Sequence, residues 1–141
     1  CQRRVRGHWH GGILSRGLRK MDELSRIALA LRGVRPDAAG LEEDLHRKVA
    51  EALSRAGIAF LHEARIAPGA RVDFLAGRVG IEVKCRHAGR AALVRQAQKY
   101  LRCEALDALV VATRSGVDLP RHIAGKPVAT VCLSRNWGIA L

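Results

Sequence analysis

The chain has 141 residues, 48% of them hydrophobic, and sets 25 Lys and Arg against 13 Asp and Glu for a net charge of +12. That is enough for one domain around a single core and too little for a second catalytic domain, while the apolar content argues against a disordered chain. No apolar run approaches the ~20 residues of a membrane span, and a pI near 11.0 directs the protein toward a polyanion, either nucleic acid or an anionic surface.

The charge is uneven. Six basic residues and no acid fall within residues 1–20, which leaves +6 on residues 21–141. Residues 1–20 are read as a basic arm, upstream or appended sequence without structure of its own; it lacks the apolar stretch of a signal peptide. Its His8 and His10 suggest a solvated arm more than a metal site. Only five of the 25 basic residues are Lys, so part of the excess reflects an Arg-rich composition. Cys1, Cys85, Cys103 and Cys132 form no C-x-x-C pair, which favours reduced, buried thiols in a cytoplasmic protein.

Residues 21–40 are expected to hold a helix and a linker. Asp22 to Arg32 places Leu24, Ile27, Ala28 and Leu31 on one face, Gly33 ends it, and residues 35–40 connect. Residues 41–141 form the main domain. A helix from about Leu41 to Ala56 carries the stripe Leu45, Val49, Ala52, Leu53 and Ala56, with Gly57 as its stop. The period then changes to two. Strands are expected over Ala59–Ile66, Arg71–Ala76 and Val79–Cys85, the last two joined by Gly77-Arg78 as a type II′ hairpin. A helix from about Arg90 to Glu104 turns Leu93, Ala97, Tyr100 and Leu101 inward. Ala108–Thr113 reads as a central strand and Pro127–Leu133 as the last one. The fold class is α/β.

The hairpin fixes a register. With Gly77 and Arg78 as the loop, Ala76 pairs with Val79, Asp73 lies opposite Glu82, and Arg71 lies opposite Lys84. Glu82 and Lys84 share a face, while Val72 and Phe74 are expected on the other with Ile81 and Val83. Two opposed carboxylates repel; a hard dication between them relieves this and leaves positions for water and phosphate. A lysine two residues on can orient the attacking water or steady charge on the phosphate. These are the parts needed to hydrolyse a phosphodiester. An isolated E-x-K is more often a solvated ion pair, and the opposed Asp is what raises this one above that reading.

Asp73 followed by Glu82-Val83-Lys84 resembles the D-(x)n-E-x-K signature of the PD-(D/E)XK nuclease superfamily. Gln96-Ala97-Gln98-Lys99-Tyr100 resembles the Q-x-x-x-Y motif of its RecB-like members. Val72 replaces the Pro of the family name. The resemblance implies a restriction-endonuclease-like αβββαβ core from Leu41 to Thr113, a mixed central sheet flanked by helices, with the N-terminal helix added. It implies Mg²⁺, replaceable by Mn²⁺, on Asp73, Glu82 and the Val83 carbonyl. Lys84 would position water, and Gln96 and Tyr100 would support the site. The superfamily often adds an acid from the first helix, and here Glu42, Glu43 and Asp44 are candidates. Glu42 continues the buried stripe three before Leu45, and Glu43 is the reserve; favourable charge at a helix N-terminus accounts for all three equally. No cysteine set of the iron–sulfur RecB-like nucleases is present. The length suits compact relatives such as Holliday-junction resolvases and phage or mobile-element nucleases.

Arg71, Arg86, Arg90, Arg95 and Lys99 surround the motif and are expected to grip a DNA backbone. Aromatic content of 4% gives few stacking platforms, which leans toward duplex or branched DNA. The expected activity is metal-dependent DNA hydrolysis, with a homodimer left open. The rival readings are a nucleic-acid-binding module of the same fold without turnover, and an assembly domain that docks through the Leu24–Leu31 helix.

Overall fold

In a computed structural model of the chain, residues 22–37 and 41–133 are described; the basic arm of residues 1–20 lies outside them. Helix α1 spans residues 22–31, and Ile27, Ala28 and Leu31 bury its expected face. Helix α2 is Glu42–Arg55. It buries Leu45, Val49 and Leu53, and Ala56, expected in the stripe, is instead its exposed C-cap. Gly57 then adopts φ 73°, and the Ile58 N–H reaches back to the Leu53 carbonyl at 2.9 Å. This is a Schellman ending, which needs a residue that tolerates the left-handed region.

Strands β1 (Leu61–Ala67), β2 (Ala70–Ala76) and β3 (Val79–Lys84) form an antiparallel meander. Helix α3 (Arg90–Leu101) crosses to β4 (Ala108–Thr113), which pairs parallel to β3. The two-residue β5 (His122–Ile123), not anticipated from the sequence, precedes β6 (Lys126–Cys132), which is parallel to β4. The six-stranded order is β1-β2-β3-β4-β6-β5. The protein is therefore mixed α/β, with a mixed sheet and, among the described residues, three helices. Every residue of β4 is buried, as suits a strand covered on both faces.

Two apolar clusters flank the sheet. One joins Ile27 and Leu31 of α1, Leu45, Val49 and Leu53 of α2, and Phe74, Ile81, Val83 and Val110 of the sheet. The other joins Leu93, Ala97, Tyr100 and Leu101 of α3 to Val72, Leu109 and Val111. Arg78 ties the β2–β3 turn to the loop after α3, its Nε donating to Asp107 Oδ2 at 2.9 Å. Gly80 faces that loop. A Cβ there would stand 2.9 Å from Leu106 Cδ1, a side chain that is itself fully buried. Gly80→Ala is expected to cost about 1–2 kcal/mol in urea unfolding through overpacking.

The sequence register holds at the turn, where Ala76 pairs with Val79, and the ladder runs on only to Phe74–Ile81. Arg71 does not reach Lys84; it pairs with Arg65 on β1. The expectation that Val72 and Phe74 share a face is also corrected. Val72 packs in the α3 cluster and Phe74 in the α1–α2 cluster. On β1 the residue facing Asp73 is Glu63, which has φ 52° and drops out of the pairing between His62–Phe74 and Ala64–Val72. One left-handed residue turns the following side chains to the opposite face. Both strands change face together at Glu63 and Asp73.

Candidate active site

Where β2 and β3 part, side chain replaces backbone in the pairing. The Val83 N–H donates to Asp73 Oδ2 at 2.8 Å, and the Asp73 N–H donates to Glu82 Oε1 at 3.3 Å. The ladder's strand-to-strand bonds thus become carboxylate bonds, which fix both acids from both strands. Asp73 and Glu82 are brought together as the register requires. Strand geometry points the Val83 carbonyl along the same edge as its N–H, toward β2; its side chain is buried in the core, so only the carbonyl can serve the site.

Glu82 is 6% exposed. Lys84 Nζ lies 3.1 Å from its Oε2, and Gln96 Nε2 donates to the same oxygen at 3.2 Å. Burial raises the Glu82 carboxyl above its ordinary value, and the Asp73 charge raises it further, against the pull of Lys84. Gln96 also donates to the Tyr100 hydroxyl at 3.0 Å. The spacing of four on α3 thus lets Gln96 link the two, as helical neighbours do. Burial, with the Glu82 charge second, pushes Tyr100 up to about 12. Tyr100 therefore stays a neutral phenol whose proton is available to donate.

Helix α2 contributes a residue that the sequence reading overlooked. Glu42, expected to point inward, leaves 72% of its side chain exposed, because it occupies the first turn, where α2 begins and the sheet does not yet cover it. Glu43 is exposed as well. His46, one turn further on, is the side chain that reaches the sheet. It is 11% exposed, and its Nε2 lies 3.8 Å from both Asp73 Oδ2 and Glu42 Oε1. That nitrogen is buried without a hydrogen-bond partner. Its other nitrogen, Nδ1, is 3.1 Å from His62 Nε2, and His62 stacks on Phe74 with ring centroids 4.8 Å apart. The signal was present: His46 stands three before Val49 and seven before Leu53, the same offsets that favoured Glu42.

A cavity of about 630 Å³ opens on the α2 side, lined among others by Glu42, His46, His62, Arg71 and Asp73. Of the five basic residues expected to hold nucleic acid, Arg71 borders this cavity. Arg86, Arg95 and Lys99 are exposed elsewhere, the last two on α3 across the sheet, and Arg90 donates to the Asp118 carbonyl at 2.8 Å.

Among the described residues, no three His, Cys, Asp or Glu side chains close into a ready cage for a metal. The donor set nevertheless suits a divalent ion in part. Two ligands each about 2.1 Å from one ion stand roughly 3–4 Å apart. The orphaned His46 Nε2 and Asp73 Oδ2 satisfy that spacing, and two facing carboxylates favour a cation between them. Water and a phosphate oxygen would complete the shell. No helix among the described residues is long and apolar enough to cross a membrane. No family model, curated protein or solved structure matches the chain.

Proposed function

We propose that the chain is a metal-dependent nuclease of the PD-(D/E)XK type, hydrolysing phosphodiester bonds of DNA, with its meander and crossover serving as the restriction-endonuclease-like core. The reading rests on one observation. Asp73, Glu82 and Lys84 converge where β2 and β3 separate, held by backbone N–H bonds to the two carboxylates.

Asp73, Glu82, the Val83 carbonyl and His46 would hold the ion, Mg²⁺ or Mn²⁺. The imidazole nitrogen tips the choice toward Mn²⁺, since nitrogen ligands favour transition metals over magnesium. The bound ion would polarise the phosphoryl oxygen and lower the pKa of a water. Lys84 would orient that water and offset negative charge as it builds on the phosphate. Gln96 keeps Glu82 Oε2 in place, and Tyr100 closes the rear of the site as a neutral donor. Glu42 stands at the rim, within reach through His46.

Purified protein with linear, circular, branched and single-stranded DNA should cut at least one of them with Mg²⁺ or Mn²⁺ and none with EDTA. Binding to all four substrates without metal-dependent cleavage would sink the enzymatic claim in favour of a binding module. His62 offers a narrower check. Its Nε2 can accept the His46 Nδ1 proton and so leave the Nε2 lone pair of His46 facing the metal. His62→Leu should weaken Mn²⁺ binding about 10–100-fold by calorimetry.

A further inference from the structure

The β1–β2 ladder sets Arg65 directly opposite Arg71. Opposed residues of an antiparallel pair project to the same face, and like charges there destabilise the sheet. Both arginines are exposed, and neither has a hydrogen bond or ion pair within the described residues. Their strand neighbours Ala64, Ala70 and Val72 pack into the α3 cluster. The two guanidiniums therefore project to the α2 face, where Arg71 lines the same cavity as Asp73 and His46.

A pair of exposed guanidiniums without an ion partner among the described residues, beside a carboxylate site, suits an anion that bridges them. Arginine presents a planar fork of donors that matches a phosphate bidentately. The nearby acids, Glu42, Glu43, Glu63 and Asp73, make an acidic anion an unsuitable guest on its own. A polymer carrying one phosphate to the metal site and a neighbouring phosphate to the arginines would satisfy both charges.

We infer that Arg65 and Arg71 form a cross-strand clamp for a backbone phosphate adjoining the scissile one, so that the substrate enters over β1 and β2 on the α2 side. The α3 side, where Arg95 and Lys99 lie, is then not the substrate face. The inference rests on the nuclease reading for its polymer and deepens it with a direction of approach.

Binding of a labelled DNA duplex in EDTA, titrated across salt concentration, tests the clamp without catalysis. Each phosphate contact contributes about 0.9 to the slope of log K against log salt. Arg65→Gln/Arg71→Gln should lower the slope by roughly 0.9, the share of the one clamped phosphate, with Tm unchanged or raised because the opposed charges are gone. Arg95→Gln/Arg102→Gln removes equal charge from α3 and its C-cap residue Arg102 and should leave the slope as it was. Arg65→Lys/Arg71→Lys should keep the slope and still bind several-fold more weakly, having lost the fork. An equal loss in both glutamine pairs would mean diffuse attraction and would overturn the clamp. An unchanged slope in Arg65→Gln/Arg71→Gln overturns it also, and cleavage by the wild-type protein with Mn²⁺ would then leave the nuclease reading standing. No duplex binding by the wild-type protein at low salt overturns both.

Discussion

Asp73→Asn is expected to abolish metal-dependent cleavage, by about 10²–10³-fold or more, while leaving the protein folded and able to bind DNA. The separation is possible because the Asp73 side chain does two jobs. Its Oδ2 accepts the Val83 N–H at 2.8 Å, which holds β3 to β2 beyond the last ladder pair, Phe74–Ile81. An asparagine carbonyl accepts that bond equally well, but the amide offers no charge to a cation. Asp73→Ala removes both jobs and leaves the Val83 N–H without its acceptor, which costs about 1–3 kcal/mol for a buried donor. The two variants should therefore match in lost activity and differ in urea midpoint. Equal activity of Asp73→Asn and wild type would remove Asp73 from the chemistry and leave it as a strand clip. Lys84→Met should also lose turnover but keep Mn²⁺ affinity, since Lys84 touches Glu82 Oε2 at 3.1 Å and is no ligand itself.

Much of this arrangement was legible in the letters. Period-two patterning and a Gly-led two-residue loop located β2 and β3, and the same loop fixed the register that joins Asp73 to Glu82. Gln96 and Tyr100 came from the resemblance to the Q-x-x-x-Y motif, and their spacing of four placed them on one helical face. What the sequence hid has a common physical cause: each case depends on one residue leaving its regular backbone or on where a helix meets the sheet. Glu63 carries φ 52° without being glycine, and no propensity announces that. Yet the strands change face at this point, so that Val72 and Phe74 pack on opposite sides of the sheet, and the β2–β3 ladder has ended at Phe74–Ile81 before Arg71 could meet Lys84. Glu42 and His46 have equivalent offsets along α2, and only the docking of the helix decides that the first turn overhangs while the second is covered. The two-residue β5 is held by its pairing with Lys126 and Pro127 of β6, a contact that local patterning does not encode.

The metal-free protein should lose stability as pH rises through the titration of Glu82, and Glu82→Gln should erase that loss. Burial, then the Asp73 charge, holds the folded-state carboxyl above its ordinary value of 4.5. Between the unfolded and the folded pKa the native state therefore binds the extra proton. Stability from this group is complete below the unfolded value and falls as pH climbs through the folded one. Asp37 shifts oppositely: its hydrogen bond with Lys48 holds it low, so its contribution is lost as pH falls toward the acid range. It is common to both proteins and cancels in the comparison. The measurement is the urea midpoint of wild type and Glu82→Gln across pH 4 to 8 in EDTA, where the difference between them should grow with pH in favour of the variant. Adding Mn²⁺ should invert the order at neutral pH, because a cation stabilises the ionised wild-type carboxylate and gains nothing from the amide. A wild-type curve parallel to that of the variant in EDTA would show that the pair of carboxylates carries no unrelieved charge, and the electrostatic case for a cation between Asp73 and Glu82 would fall with it.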